Sequence, residues 1–361
     1  MRHHSSILEW LWLGAVAGLV LAAGGCRTAP EAPPLTRFEF SSPHMGTLWR
    51  ITLYAPDAAA ASNAVRAAFG RVRELDQCMS DYDPESELER LRKSPPGVPV
   101  NVSDDLFSCL QSAVAIARET RGAFDPTVGL EVQLWRQARR RHALPDPARL
   151  AVARESVGCH RLRLDARTKT VTLLGTNLWL DLGGIAKGFG ADAALAVLRR
   201  RGLPRALVAA SGDLAIGDPP PGQCGWRVGI GAVGGRTNEL AHVLILRNAA
   251  VSTSGDAEQF FELEGVRYSH IVNPRTGLGL TNRVQATIVA PCATRSDALA
   301  TAVCVMGAER GLKFIERDGR CAAFILLPKD GARPPALQSR RFLQLEKAPP
   351  GGREGAVPLL F

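Results

Sequence analysis

The sequence predicts an α+β fold, on three observations. Strand-like and helix-like stretches follow one another without the regular β-α alternation that a parallel sheet needs. No segment recurs at a fixed period, which argues against a solenoid or propeller. The chain has 361 residues and 46% hydrophobic content, enough for one large packed domain or two modest ones.

The first segment is of a different kind. Arg2, His3 and His4 form a weakly basic start, Ile7–Ala23 is mostly apolar, and Ala22-Ala23-Gly24-Gly25 precedes Cys26. That is the anatomy of a secretory signal. A Cys in that place suggests a bacterial lipoprotein, cleaved before Cys26 and acylated there. Ala23 stands where Leu is usual, and Glu9 interrupts the apolar run. The alternative is an uncleaved anchor near the lower length limit for a spanning helix. Either way the body would lie outside the cytoplasm. Residues 1–25 thus read as the signal, and 26–37, rich in Pro and Ala, as a tether.

Phe38–Leu53 reads as a strand interrupted by Met45-Gly46-Thr47. Ser62 is the expected cap of a helix whose inner face is Val65, Ala68, Phe69, Val72 and Leu75. Asp83-Pro84 turns the chain into a short helix. Ser103 caps a second helix, with Leu106, Leu110, Val114 and Ala117 inward and Gly122 at its end. The loop Gly122–Gly129 is dense in turn residues, and its Phe124 is placed to pack on something flat.

The apolar run Leu173, Leu174, Leu178, Trp179 reads as a buried strand, and Ala191–Arg201 as a helix. Between them lies Leu180–Gly190, L-D-L-G-G-I-A-K-G-F-G. A glycine-rich turn into a helix N-terminus lets backbone N–H groups approach an anion, and Lys187 adds a cation. Asp181 adds a carboxylate. A tight packing turn is an equal alternative, since neither P-loop nor G-x-G-x-x-G spacing is present.

Further strands are expected at Ala206–Ala210, Trp226–Ile230, His242–Leu246, Ala249–Thr253, Gln285–Ala290 and Cys321–Leu327, and Tyr268–Pro274 reads as a short strand running into a turn. Helices are expected at Asp297–Met306 and Glu309–Arg317. From Lys329 the Pro- and Gly-rich composition predicts a loosely ordered tail.

The formal net charge is +9. Its clusters, Arg136 with Arg139–Arg141 and Arg199–Arg201, read as solvated helix faces, and no nucleic-acid motif accompanies them. Eight cysteines include no C-x-x-C and fit no zinc site. With Cys26 lipidated, seven remain and at least one is unpaired. Asp297 and Thr301 stand at i and i+4, hence on one helix face. Their hard oxygens suit Mg²⁺. The alternative is that Asp297 caps the helix and Thr301 bonds back to the preceding turn.

Seven stretches occur in order: M-G-T at 45, S-D-Y-D-P-x-S-E-L at 80, G-A-F-D-P-T-V-G at 122, L-D-L-G-G-I-A-K-G at 180, S-T-S-G-D at 252, S-H-I-V-N-P-R-T-G at 269 and S-D-A-L-A-T-A at 296. Together they resemble the ApbE-type flavin transferases (FAD:protein FMN transferase). The resemblance implies a two-lobed, T-fold-related α+β architecture over residues 38–330. Mixed sheets would hold FAD in a cleft between the lobes, and 331–361 would remain as a tail. It implies nucleotide contacts from Met45, Tyr82, Ala123, Phe124, Asp125, Asp181, Lys187 and Ile271. It implies Mg²⁺ held by Asp297, Thr301 and the carbonyl of Gly184. FMN would pass to a Ser or Thr hydroxyl of an exported or membrane acceptor protein, releasing AMP, at the periplasmic side of a bacterial envelope.

His270 is the candidate base, because imidazole titrates near working pH. Two departures from the family pattern stand out: Ser211 where Gly is frequent, and Asn273 where Asp is usual. Two rival readings share these residues: hydrolysis of FAD to FMN and AMP, and FAD binding without catalysis.

Overall fold

The computed structural model describes residues 34–231, 240–255, 260–328, 335–346 and 357–358. The signal 1–25, Cys26, most of the tether and Asp256 lie outside them. Among the described residues no helix is long and apolar enough to cross a membrane.

β1 (Thr36–His44) and β2 (Thr47–Ala55) form a hairpin, and the predicted interruption at Met45-Gly46 is its two-residue turn. Both turn residues have positive φ, 46° and 70°, as the twist of the strands demands. α1 (Ala58–Met79) is capped by Asp57, which accepts the Ala60 N–H at 2.7 Å, rather than by Ser62. α2 (Glu87–Arg92), β3 (Val100–Asn101) and α3 (Asp104–Glu119) follow, with Ser103 capping α3 as expected. Next come α4 (Gly129–Arg141), α5 (Pro147–Glu155), β4 (Leu162–Asp165) and β5 (Thr170–Leu173). α6 (Ala186–Arg200) leads into β6 (Ala206–Ala210), β7 (Asp213–Ile216), β8 (Trp226–Gly231), β9 (Leu240–Leu246) and β10 (Ala249–Ser254). The hairpin β11 (Phe260–Leu263) and β12 (Val266–Ser269) precedes β13 (Gln285–Ala290), α7 (Ala293–Met306), α8 (Ala308–Ile315) and β14 (Ala322–Leu326). β15 (Ala336–Gln338), α9 (Arg340–Glu346) and β16 (Val357–Pro358) complete the series.

The main sheet runs β1-β2-β6-β7-β10-β13-β14-β15, with every neighbouring pair antiparallel. Side chains alternate across it with the period of two that a pleated strand imposes. Ala206, Val208 and Ala210 face α1 and α6, whereas Leu207 and Ala209 face the β8-β9 pair and α9. A third apolar cluster packs α3 and α7 against the small sheet β3-β5-β4.

Three expectations are corrected. Residues after Leu173 do not continue as a strand. Asn177 has φ 60°, and the segment is held instead by the loop beside α4, through Gly129 N–H to Trp179 O (3.1 Å) and Asp181 N–H to Pro126 O (2.8 Å). α6 begins at Ala186, not Ala191, so Gly188 and Gly190 are helical. A Cβ on Gly188 would lie 2.2 Å from Ala293 O, and one on Gly190 would lie 2.8 Å from the Trp49 ring. Contact outweighs the poor helix propensity of glycine. Finally, the tail is not loose throughout. β15 pairs with β14, and Phe342 is fully buried, stacked on Phe324 at 5.2 Å.

Candidate active site

A cavity of about 410 Å³ opens where the 123–128 loop, α4, the 181–187 turn, the β6–β7 turn, the end of β10, the segment after β12 and α7 converge. Tyr82, Ala123, Phe124, Asp125, Asp181, Gly184, Lys187, His270, Ile271, Asp297 and Thr301 all line it. Residues 82 to 301, scattered in sequence, are thus brought to one place. Met45 is not part of the lining. Its N–H donates to Asp76 at 2.9 Å, and its side chain approaches Gly190.

α7 sets the floor. Asp192 caps it from α6, accepting the N–H groups of Ala293 and Thr294, both at 2.8 Å. Asp297 therefore lies in the second turn and is not a cap. It is 2% exposed and accepts the Gly188 N–H at 2.9 Å. Lys187 forms an ion pair with buried Asp213 and lies 3.8 Å from Asp297. Burial and the facing Asp213 push the Asp297 carboxyl up to about 7, against the pull of Lys187. Burial alone would lower the Lys187 ammonium, but Asp213 and Asp297 outweigh it and hold it above the ordinary lysine range. Two buried carboxylates thus share one ammonium, which leaves room for another cation.

Thr301 Oγ1 lies 3.4 Å from Ser254 Oγ. A Cβ on Gly184 would come within 3.2 Å of that same Thr301 oxygen and 3.3 Å of the Phe124 ring. Asp297, Thr301 and the Gly184 backbone are therefore neighbours, an all-oxygen set suited to a hard cation. Among the described residues no group of three or more His, Cys, Asp or Glu is placed to hold a metal ion.

The opposite wall is cationic and aromatic. Arg136 sits 4.6 Å over the Tyr82 ring and pairs with Asp81 and, at 3.3 Å, with Asp181. Asp181 also accepts the Gly183 N–H at 2.8 Å, and burial raises its carboxyl. The Asp125 carboxylate is committed to Thr127 N–H (3.0 Å) and Thr127 Oγ1 (2.6 Å) in its own loop and to Cys159 N–H (2.9 Å) after α5. It shapes the loop that presents Phe124. His270 follows Ser269, which is anchored twice. Its carbonyl accepts Trp135 Nε1–H at 2.8 Å, and its hydroxyl accepts the Ile271 N–H at 3.0 Å.

A model of the ApbE family matches residues 45–325. The chain belongs to the ApbE family. It is 30% identical over 332 residues to the FAD:protein FMN transferase of Vibrio cholerae, covering 91% of this chain and 97% of that protein. It is 32% identical to the enzyme of the same name from Treponema pallidum, covering 91% and 94%. The structure superposes with a TM-score of 0.77 on the flavin transferase ApbE of Vibrio cholerae, at 28% identity over 86% of this chain and all of that one. The ApbE protein of Thermotoga maritima gives the same TM-score at 29% identity, over 87% of this chain and all of the other.

Both departures from the ApbE pattern have structural readings. Ser211 has φ 55°, a left-handed backbone at the β6–β7 turn that glycine adopts more readily. Asn273 is a turn residue. Its Oδ1 accepts the Arg275 N–H at 3.0 Å, and its carbonyl accepts the Gly277 N–H at 2.8 Å. It does not line the cavity that holds His270.

Sequence reading alone missed the importance of Arg136 and Arg139, which line the cavity rather than a solvated face. No local signal marks them, because Arg136 meets Asp81 and Asp181 only once the chain is folded.

Proposed function

We propose that this protein moves the FMN half of FAD onto a Ser or Thr hydroxyl of an exported or membrane acceptor protein, releasing AMP. The observation that carries the reading is the meeting of Asp297, Thr301 and Gly184 beside Lys187, within one cavity that also contains His270. The family named above sets the substrate class.

The acceptor oxygen would attack the flavin-side phosphorus, and the phosphoanhydride bond to AMP would break. His270, at the end of β12, is assigned to take the hydroxyl proton. Tyr82, Phe124 and Ile271 offer the apolar and aromatic surface that a flavin nucleotide needs. Arg136 offers a cation and stacks on the Tyr82 ring. Asp297, Thr301 and the Gly184 carbonyl would hold Mg²⁺, which would neutralise charge on the pyrophosphate as the bond breaks. Lys187 tunes that site by balancing Asp213.

The same reading puts the protein on the outer side of a bacterial membrane, tethered by acyl chains on Cys26. More than one chain is needed for stable attachment.

Incubation with FAD, Mg²⁺ and a candidate acceptor, followed by in-gel flavin fluorescence and an AMP assay, tests it. Covalent fluorescence with stoichiometric AMP is expected. AMP without labelling would make the protein an FAD pyrophosphatase. Retained FAD with neither product would make it a carrier.

A further inference from the structure

A second concavity, of about 570 Å³, adjoins the first. Ala123 lines both, and Pro274 faces the first while its neighbours Asn273 and Arg275 line the second. The second is therefore a groove running up to the candidate active site. Its floor is apolar and half-buried: Val305, Met306 and Phe314. Its rim carries five exposed cations, Arg121, Arg275, Arg310, Lys313 and Arg317. None of the five is paired with a carboxylate among the described residues.

The groove's own acids do not answer them. Glu119 and Asp318 are both bound by Arg295, at 2.6 and 2.8 Å. Arg310 instead donates from Nε to the Met306 carbonyl at 3.0 Å, and Arg275 reaches the Arg121 carbonyl at 3.4 Å. These bonds organise the guanidinium groups without neutralising them. An apolar floor under unpaired cations is complementary to an extended chain carrying both apolar and acidic side chains.

We propose that this groove docks an acidic stretch of the acceptor polypeptide, so that its Ser or Thr enters the adjoining cavity. The inference rests on the transferase reading above and adds to it a recognition rule. The enzyme would select acceptors by negative charge beside the modified residue. The exposed cations would speed encounter and set register, while the floor supplies contact area.

The probe is a short fluorescein-labelled peptide with a central Thr and a run of Asp on one side, beside a twin with Asn for each Asp. Binding is followed by anisotropy, with no turnover required. The wild type should bind the Asp peptide at least about tenfold more tightly than its twin. That preference should shrink as salt rises. The triple variant Arg310→Glu, Lys313→Glu, Arg317→Glu should lose it, while its melting temperature and FAD affinity stay at wild-type values. The charge-keeping pair Arg310→Lys, Arg317→Lys should retain most of it.

A wild type indifferent to Asp against Asn would overturn the proposal, as would a triple variant that still discriminates. Loss of binding to phosphatidylglycerol vesicles in the triple variant, without any peptide preference in the wild type, would instead make the groove a membrane-facing surface. If the acidic peptide binds as expected but no FMN is ever transferred, the transferase reading falls and the groove stands as a peptide site.

Discussion

Asp297 Oδ2 accepts the backbone N–H of Gly188 at 2.9 Å, which fastens the second turn of α7 to the first turn of α6. The two helices approach this closely because residue 188 has no side chain. The carboxylate at the centre of the candidate metal set is thereby positioned by a contact 109 residues away in sequence.

Gly188→Ala should therefore damage both fold and site. Its Cβ would lie 2.2 Å from Ala293 O and 2.8 Å from the Asp297 Cβ. On an exposed helix the change would stabilise. Here a loss of at least about 2 kcal/mol is expected from overpacking. Urea unfolding measures it, and an unchanged midpoint would mean that α6 and α7 separate freely.

Asp297→Asn separates ligation from structure. The amide oxygen can still accept the Gly188 N–H, and one of two facing buried carboxylates becomes neutral. Melting without added metal should be unchanged or raised. FMN transfer across a Mg²⁺ titration should fall by at least about 10²-fold. Normal transfer at ordinary Mg²⁺ would remove Asp297 from the ligand set.

Lys187→Met should leave Asp213 and Asp297 facing each other without an ammonium. Breaking a largely buried pair costs about 3 kcal/mol. Adding Asp213→Asn should recover most of that loss. Equal destabilisation in the single and double variants would show that Lys187 contributes packing rather than charge. FAD affinity, titrated in parallel, should drop in the single variant if the ammonium also meets phosphate.

His270→Ala should bind FAD nearly as the wild type does, yet transfer FMN roughly 10²–10⁴-fold more slowly in single turnover. Lost FAD affinity with wild-type transfer at saturation would make His270 a ligand contact. Asp213 and Asp256 would then be the next candidate bases, though Lys187 already occupies Asp213.

Glu131, in the first turn of α4, is fully buried, and neither carboxylate oxygen has a hydrogen-bond partner among the described residues. Burial pushes its pKa up to about 8 from an ordinary 4.5, against the weaker pull of Arg154. A raised carboxyl favours the protonated folded state. Its contribution is complete below pH 4.5 and is lost as pH rises through about 8. Wild-type stability should therefore fall over that window, and Glu131→Gln should fall less. Parallel slopes in thermal melts from pH 5 to 9 would mean that water or a cation already satisfies the carboxylate.

Part of the fold and of the site was legible locally. Ser103 and the Met45-Gly46 turn lie at element ends, where turn chemistry is written in the sequence, and the i, i+4 spacing of Asp297 and Thr301 puts both on one helix face. What was not legible depends on contacts distant in sequence. Helix propensity places the start of α6 after its glycines, but Ala293 and Trp49 dictate that those glycines be helical. Arg136 looks like any solvated arginine until Asp81 and Asp181 are folded against it. Asp192 looks like a surface acid, yet it caps a helix that begins a hundred residues later.

β14 is buried and apolar at all five positions. Without β15 beside it, its free N–H and C=O groups would form a flat hydrophobic border to the main sheet, the kind along which separate molecules join and aggregate. β15 covers that border with three residues, and Phe342 fastens the cover by stacking on Phe324. At the far border, β1 carries Arg37, Glu39 and Pro43, which discourage a further strand. The residues past the Pro-rich stretch thus replace a five-residue, fully buried apolar border with a shorter, partly exposed one of three residues, which leaves less for another strand to extend.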